Sequence, residues 1–477
     1  MLAEGPPGVP DLAGGALRLH VVGVGGAAMN AIATVLVAMG HRVSGSDAQA
    51  SPVLERLESL GVRTYLGHDA ANVGGADVVT FSTAVKADNP ELVEARSRAI
   101  PTVPRAEILR AICRTRRTLA VSGTHGKTTT TAMLAAVLAD AGLDPGFIVG
   151  GELPGARGGA HWGGGEWFVV EADESDGTFL RLGAEGVVVT SIGADHLDHF
   201  GDVAGLTAAF AEFVRQAPGP KVVCLDDPGA AALCSVGKAP GPGMITYGTA
   251  PSAAYRVSEV EFEGTSACFE VRTGDVSLGR FSVPAPGMHN VLDATAALAM
   301  ACAVGVGTQV ARSALAHYRP VRRRFELRGS RNGITYVDDY AHNPGKVRAA
   351  LAGARQGGWQ RVVAVFQPHR YSRTLSLWQS FADAFVDADV LVLTGIYPAG
   401  EAAVPGVSGR LVADAVRAAH PSLPLQYVET RDELVEVLRG LLRPGDLCLT
   451  MGAGDLTTLP GVLLAGPEGG GTDEEIR

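Results

Sequence analysis

Short apolar runs alternate along this chain with segments of helical period. Residues 19–24 (LHVVGV) have the pattern of a buried strand, Ala27 to Met39 that of an apolar helix, and 43–46 that of a second strand. The alternation continues through Asp77–Phe81 and ends near Arg105–Ile112, which predicts a parallel sheet over the first stretch of the chain. A second block opens at Thr118–Val121 and runs through strands predicted at 167–170 and 187–192. It then crosses a Pro/Gly-rich stretch at 237–252, taken as irregular, and closes with an Ala-rich helix at Val291–Ala303. The basic segment Tyr318–Arg324 leads into a third block with strands near 334–338, 362–366, 390–393 and 446–450. The pattern predicts an α/β protein of three domains, 17–115, 116–319 and 320–465, with disordered ends at 1–16 and 466–477.

Composition narrows the class. A chain of 477 residues exceeds one hydrophobic core. Its 46% hydrophobic and 19% charged content is that of a folded protein. Apolar stretches such as Ala31–Met39 are about half of a bilayer crossing. The start of the chain lacks the basic and apolar regions of a signal peptide, so a cytoplasmic protein with no membrane partner is expected. Six scattered cysteines, with no Cys-x-x-Cys pair, point to buried apolar roles. A net charge of −10 argues against a nucleic-acid partner. Anionic ligands must then be held by local devices.

One such device is Gly123-Thr124-His125-Gly126-Lys127-Thr128-Thr129, placed between an apolar strand and a helix predicted at Thr131–Ala141. Backbone N–H groups in such a turn surround polyphosphate, a lysine reaches its terminal groups, and a hydroxyl ligates Mg²⁺. The loop departs from the common G-x-x-x-x-G-K-[ST] form because Val121 stands at the first glycine position. Gly23-Val-Gly25-Gly26, with Asp47 about twenty residues on, fits a second, dinucleotide-type loop. Taken alone it would suit a dehydrogenase, but hydride transfer has no use for the loop at Lys127. Glu171, Asp173, Glu174 and Asp176 follow one predicted strand, and Asp195-His196 follows the next. Carboxylates beside a triphosphate serve as Mg²⁺ ligands, and open α/β sheets bind ligands beyond the carboxyl ends of their strands.

The ordered set GVGGAAM, GTHGKTTT, EADESD, ADHLDHFG, MHNVLDATAA, RRFE, DDYAHNP and QPHRYSRT resembles the Mur ligase superfamily over nearly the whole chain. The resemblance implies an N-terminal Rossmann-like domain for UDP, a central P-loop-type ATPase domain with a mixed or parallel sheet, and a C-terminal Rossmann-like domain for the amino acid. It implies ATP-dependent joining of L-alanine to UDP-N-acetylmuramate through an acyl phosphate, with Mg²⁺ or Mn²⁺, by a monomer or weak homodimer. Gly25, Gly26, Asp47, Ser82 and Thr83 would line the UDP site. Gly123 through Thr129, with His289, Asn290, Arg324 and Asp339, would hold ATP. Thr128, Glu171 and His196 would bind metal, and Tyr340, His342, Arg370 and Arg373 would bind the amino acid. Lys127, Glu171, His196, Arg324 and His342 would carry the chemistry, with His196, His342 or water as alternatives for taking the amine proton.

The chain departs from the family pattern at Asp293, which replaces an Asn, at Ser191 and Gly193, and at Asn343. No lysine lies between Leu197 and Arg215 to serve as the carbamylated residue of some relatives. Two alternatives stand beside this reading: a ligase adding a murein tripeptide to the same nucleotide sugar, and a non-catalytic UDP-sugar sensor.

Overall fold

The computed structural model describes residues 11–154, 158–193, 197–234 and 243–465. The chain forms two compact units. One comprises Met1–Glu259, Phe269–Ser282 and Leu292–Arg319, and the other Val260–Cys268, Val283–Val291 and Pro320–Arg477. Among the described residues no helix is long and apolar enough to cross a membrane.

The first sheet contains β1 (Arg18–Val22), β2 (Arg42–Asp47), β3 (Arg63–Leu66), β4 (Val78–Phe81) and β5 (Thr102–Pro104), in the order β3-β2-β1-β4-β5. All of its pairings are parallel. A parallel sheet is covered on both faces, which is why β1 and β4 are apolar runs rather than alternating patterns. Residues 11–16 form turns in which Leu12 is buried, so the expected disorder over 1–16 does not extend to this stretch. The tail 466–477 lies outside the described residues.

The second sheet contains β6 (Arg117–Ser122), β7 (Gly146–Ile148), β8 (Ala160–His161), β9 (Trp167–Glu171), β10 (Gly186–Val189), β11 (Lys221–Cys224), β12 (Met244–Gly248), β13 (Tyr255–Glu263), β14 (Ser266–Thr273) and β15 (Val276–Val283). Their order is β15-β14-β13-β12-β11-β10-β6-β9-β7-β8. Three expectations need correcting. The strand expected at 187–192 stops at Val189, leaving 190–193 as an irregular edge. The stretch taken as irregular holds β12. Residues 255–283, for which the apolar pattern predicted nothing, form three strands. They escaped notice because only alternate residues are buried, as in β14 with Ala267, Phe269 and Val271 inside.

The third sheet contains β16 (Glu326–Arg331), β17 (Ile334–Asp339), β18 (Arg361–Phe366), β19 (Val390–Thr394), β20 (Leu425–Val428) and β21 (Asp446–Met451), in the order β16-β17-β21-β18-β19-β20. It is parallel except for the antiparallel edge pair β16–β17. Helices Pro344–Gln356 and Arg410–Ala419 help to build one apolar core, with Phe366 and Phe385 fully buried. Helices Arg431–Leu441 and Leu459–Ala465 contribute to another, around Val363, Val365 and Leu438.

A buried polar network braces the first sheet. The Glu91 carboxylate, fully buried, accepts hydrogen bonds from Ser46 Oγ (2.6 Å) and Asn72 Nδ2 (2.7 Å). It also contacts His68 Nδ1 at 2.9 Å and His20 Nε2 at 3.4 Å. Burial alone would push this carboxyl up, but His20 and the Ser46 and Asn72 hydrogen bonds prevail and hold it at about 2. Its folded value is depressed, so its stabilisation is fully present above the ordinary carboxylate range and is lost as pH falls toward about 2. Glu91→Ala is expected to lower unfolding free energy at pH 7 by about 3 kcal/mol, since it strands several buried donors. Denaturant unfolding checks this, and a loss under about 1 kcal/mol would contradict it.

Candidate functional site

The strongest local feature is the phosphate loop between β6 and the helix Lys127–Asp140. The helix starts at Lys127, four residues earlier than the apolar pattern predicted, because Gly126 takes a left-handed conformation (φ 83°) and turns the chain directly into it. A Cβ at Gly126 would collide with Asp293 Oδ1, and one at Gly123 (φ 141°) with Thr190 Oγ1. Both positions therefore exclude a side chain by space as well as by φ.

The edge after β10 clamps this loop. Thr124 N–H donates to Ser191 O (3.0 Å), His125 N–H to Ser191 Oγ (2.9 Å), and Gly193 N–H to Thr124 Oγ1 (2.8 Å). Thr190 Oγ1 donates to the His125 carbonyl. Ser191 and Gly193, noted as departures, thus have a structural part in holding the loop. Asp293, the third departure, is buried behind it and accepts from Thr130 Oγ1 at 3.0 Å.

Lys127 Nζ donates to Gly123 O (2.6 Å) and lies 2.8 and 2.9 Å from the two carboxylate oxygens of Glu174. Burial raises the Glu174 carboxyl, and the Lys127 charge opposes that shift. Thr128 Oγ1 donates to Glu171 Oε1 (3.1 Å), and Gly150 N–H donates to Glu171 Oε2 (2.7 Å). A hydroxyl beside a carboxylate at the head of a phosphate loop is a hard-oxygen pair that fits Mg²⁺. His196, expected as a further metal ligand, lies outside the described residues.

In the same unit, Gly25 N–H donates to Asp47 Oδ2 (2.9 Å), and Gly26 is the residue before the helix Ala27–Ala38. Ser82 and Thr83 follow β4. Ser82 N–H donates to Val22 O (3.2 Å), and Thr83 is exposed. A cavity of about 350 Å³ is lined by Gly25, Asn30, Arg56 and Arg105 together with Gly150 and Glu171. The structure therefore brings the glycine loop and the Glu171 carboxylate onto one cavity. Arg56, bonded to Asn30 Oδ1 (2.9 Å), and Arg105, bonded to Asp176 Oδ2 (2.7 Å), are cationic lining groups that no local motif announced. Nor does any local motif single out Glu174 from its acidic neighbours.

The second unit carries the remaining residues. Asn290, buried, donates to Pro286 O (2.6 Å), and its neighbour His289 is exposed. Asp339 accepts from the backbone N–H groups of Phe325 and Ala341 (both 2.8 Å). Burial raises its carboxyl, with Arg324 the main opposing charge. Tyr340, His342 and His369 form a ring cluster, with centroids 5.0 Å apart for Tyr340–His342 and 6.0 Å for His342–His369.

Arg370 and Arg373, three apart in the sequence, do not share a helix face. The helix is Tyr371–Leu377, and Arg370 precedes it at φ 67° and ψ 140°, held by its N–H on Tyr397 O (2.8 Å). Positive φ in a non-glycine residue is strained, at about 1–3 kcal/mol. Arg373 is on the helix and contacts His369 Nδ1 at 2.9 Å. His369, which adjoins Arg370 in the QPHRYSRT motif and stacks on Tyr397 at 5.8 Å, belongs to the same side-chain cluster although no local motif singles it out.

A glycine-framed phosphate loop, an oxygen pair suited to a divalent cation and a separate arginine and histidine cluster are what a nucleotide-driven ligase needs, and the chain belongs to the Mur ligase family. Residues 18–117 match the Mur ligase family catalytic domain, 121–301 the Mur ligase middle domain, and 323–454 the Mur ligase glutamate ligase domain. Within the family, the chain is 46% identical over 454 residues to the UDP-N-acetylmuramate--L-alanine ligase of Anaeromyxobacter dehalogenans, covering 94% of this chain and 96% of the relative. It is 46% identical to the enzyme of the same name from Myxococcus xanthus, covering 93% of each. The crystal structure of the UDP-N-acetylmuramate-alanine ligase MurC of Thermotoga maritima is similar with a TM-score of 0.80 at 28% identity, covering 94% of this chain and 98% of that one.

His342 supplies a pH test. Burial, then the Lys346, Arg373 and His369 charges, press its imidazole down to about 4 against the Tyr340 carbonyl. The folded value lies below the unfolded one, so protonation favours unfolding. The penalty is absent above about pH 6.5, grows as pH falls, and is complete below about pH 4. His342→Gln is expected to gain stability relative to the parent across that window and to show a constant difference above about pH 7. A constant difference across the whole range would contradict the assignment.

Proposed function

We propose that this chain joins L-alanine to the carboxylate of UDP-N-acetylmuramate, with ATP converting that carboxylate to an acyl phosphate. The observation that carries the reading is the meeting of Gly25 and Glu171 on one cavity, with Glu171 bonded in turn to Thr128 of the phosphate loop. That arrangement suits a nucleotide sugar whose acid end must meet a triphosphate. The names of the full-length relatives support the same substrates. The work is divided among 17–115 for the nucleotide sugar, 116–319 for ATP and 320–465 for the amino acid, in a cytoplasmic monomer or weak homodimer.

A carboxylate resists amine attack because its charge is delocalised and it has no adequate leaving group. In the first step a carboxylate oxygen bonds to the γ-phosphorus while the bond to the β,γ-bridging oxygen breaks, releasing ADP. Lys127 neutralises charge on the transferring group, and Arg324, His289, Asn290 and Asp339 are the further ATP contacts of this proposal. Thr128 and Glu171, with His196, would hold Mg²⁺ or Mn²⁺, which supplies charge neutralisation on the phosphate oxygens.

In the second step the neutral amine attacks the acyl carbon, loses a proton, and phosphate leaves. Arg370 and Arg373 hold the carboxylate of the amino acid, for which guanidinium geometry is suited. His342 stays uncharged at neutral pH. Its Nδ1 faces the Tyr340 carbonyl at 2.8 Å, so Nδ1 carries the hydrogen and Nε2 is left as a proton acceptor.

The direct test is phosphate release from ATP with UDP-N-acetylmuramate and, in turn, each amino acid or a murein tripeptide. Release with L-alanine is expected, and release with the tripeptide alone would replace this reading by the tripeptide one. Lys127→Ala is expected to lower ligation at least about 100-fold with the fold intact. Turnover within about tenfold of the parent would remove the loop from the chemistry. Arg373→Ala is expected to raise the KM for L-alanine about tenfold while the KM for ATP moves little, because it removes one charge-assisted hydrogen bond. Loss of affinity for the nucleotide sugar instead would mean that these arginines hold phosphate.

A further inference from the structure

An ammonium group has three N–H donors, and in this structure Lys127 Nζ faces three acceptors: Gly123 O at 2.6 Å and the two Glu174 oxygens at 2.8 and 2.9 Å. A phosphate oxygen can be engaged only by giving one of these up. Gly123 O belongs to the backbone of the loop itself, so the exchangeable partner is the carboxylate.

Glu174 cannot simply withdraw. Its side chain is 1% exposed, and its own turn is fastened at several points. Gly177 N–H donates to Glu174 O (3.0 Å) with Gly177 at φ 70°, Ser175 N–H to Asp173 Oδ1 (3.1 Å), and Thr178 N–H to Asp176 Oδ1 (3.0 Å). Arg105 pins Asp176 from outside the turn at 2.7 Å. The lysine is the long and movable partner, and the carboxylate is the fixed one.

We propose that Glu174 is a positioning residue that parks Lys127 in the nucleotide-free protein, and that ATP binds by exchanging a Glu174 oxygen for a phosphate oxygen. The inference rests on Lys127 being the lysine that holds the phosphates of ATP. Two effects follow. The parked pair stabilises the empty loop, and it limits nucleotide affinity, because binding draws the cation off a buried carboxylate and brings a polyanion toward it. A neutral side chain of the same size removes both effects.

The test uses the full-length protein, with ATP and Mg²⁺ as the probe, in calorimetric titration and thermal unfolding. Glu174→Gln is expected to lower the unfolding midpoint without nucleotide, to lower the Kd for ATP about fivefold or more, and to leave the KM for L-alanine unchanged. Glu174→Met, also neutral and of similar length, is expected to act in the same direction and serves if the first variant fails to fold. A purely structural Glu174 would give a lower midpoint with weaker ATP binding. An unchanged or higher Kd in the folded variants overturns the proposal. Lys127→Ala distinguishes failure of the loop assignment from failure of the parking contact. If it binds ATP as the parent does, the assignment of the loop fails. If it loses ATP while Glu174→Gln is unchanged, only the parking contact fails.

Discussion

A loop that turns from a strand directly into a helix through glycines of positive φ cannot relax into ordinary helix or strand geometry, so the rest of its unit has to hold it in shape. Here the hold is reciprocal. The edge after β10 accepts two loop amides through Ser191 and returns one of its own, from Gly193, to Thr124. Side chains at Gly123 and Gly126 are excluded by Thr190 and Asp293. Parallel pairing of β10 with β6 sets the two strand ends side by side, with Val189 opposite Ser122, and so delivers the clamp to the loop.

Charge placement follows from that frame. The loop sits against Asp293 and faces Glu171 and Glu174, an acidic setting for a polyanion site. Lys127 offsets part of this charge, and a divalent cation held by Thr128 and Glu171 would offset more. The second unit works differently. It depresses the basicity of His342 by burial and neighbouring cations and strains the backbone at Arg370.

How much of this was legible in the sequence depended on whether the information was local. The apolar runs at β1, β6, β18 and β21 predicted buried parallel strands because such strands are covered on both faces. The glycine and lysine spacing at 123–129 announced its loop for the same local reason. The strands β13 to β15 were invisible to that reasoning, since half-exposed strands break the apolar run. Arg56 and Arg105 line the cavity only because two helices far apart in the sequence converge there. The three-residue spacing of Arg370 and Arg373 does not place them on one helix face, because Arg370 has a positive φ and the helix begins only at Tyr371. Glu174 lay within a recognised acidic motif, but sequence alone could not distinguish the carboxylate paired with Lys127 from the one bonded to Thr128.

In the proposed reaction the nucleotide-sugar carboxylate becomes covalently bonded to phosphorus before the amide forms. Ligation of UDP-N-acetylmuramate carrying ¹⁸O in its carboxyl group, with unlabelled ATP and L-alanine, tests this directly by mass spectrometry of the phosphate released. An acyl phosphate route transfers one carboxyl oxygen to phosphate for each amide made, so labelled phosphate is predicted to accumulate in step with product. Unlabelled phosphate released at the same rate as amide would contradict the account.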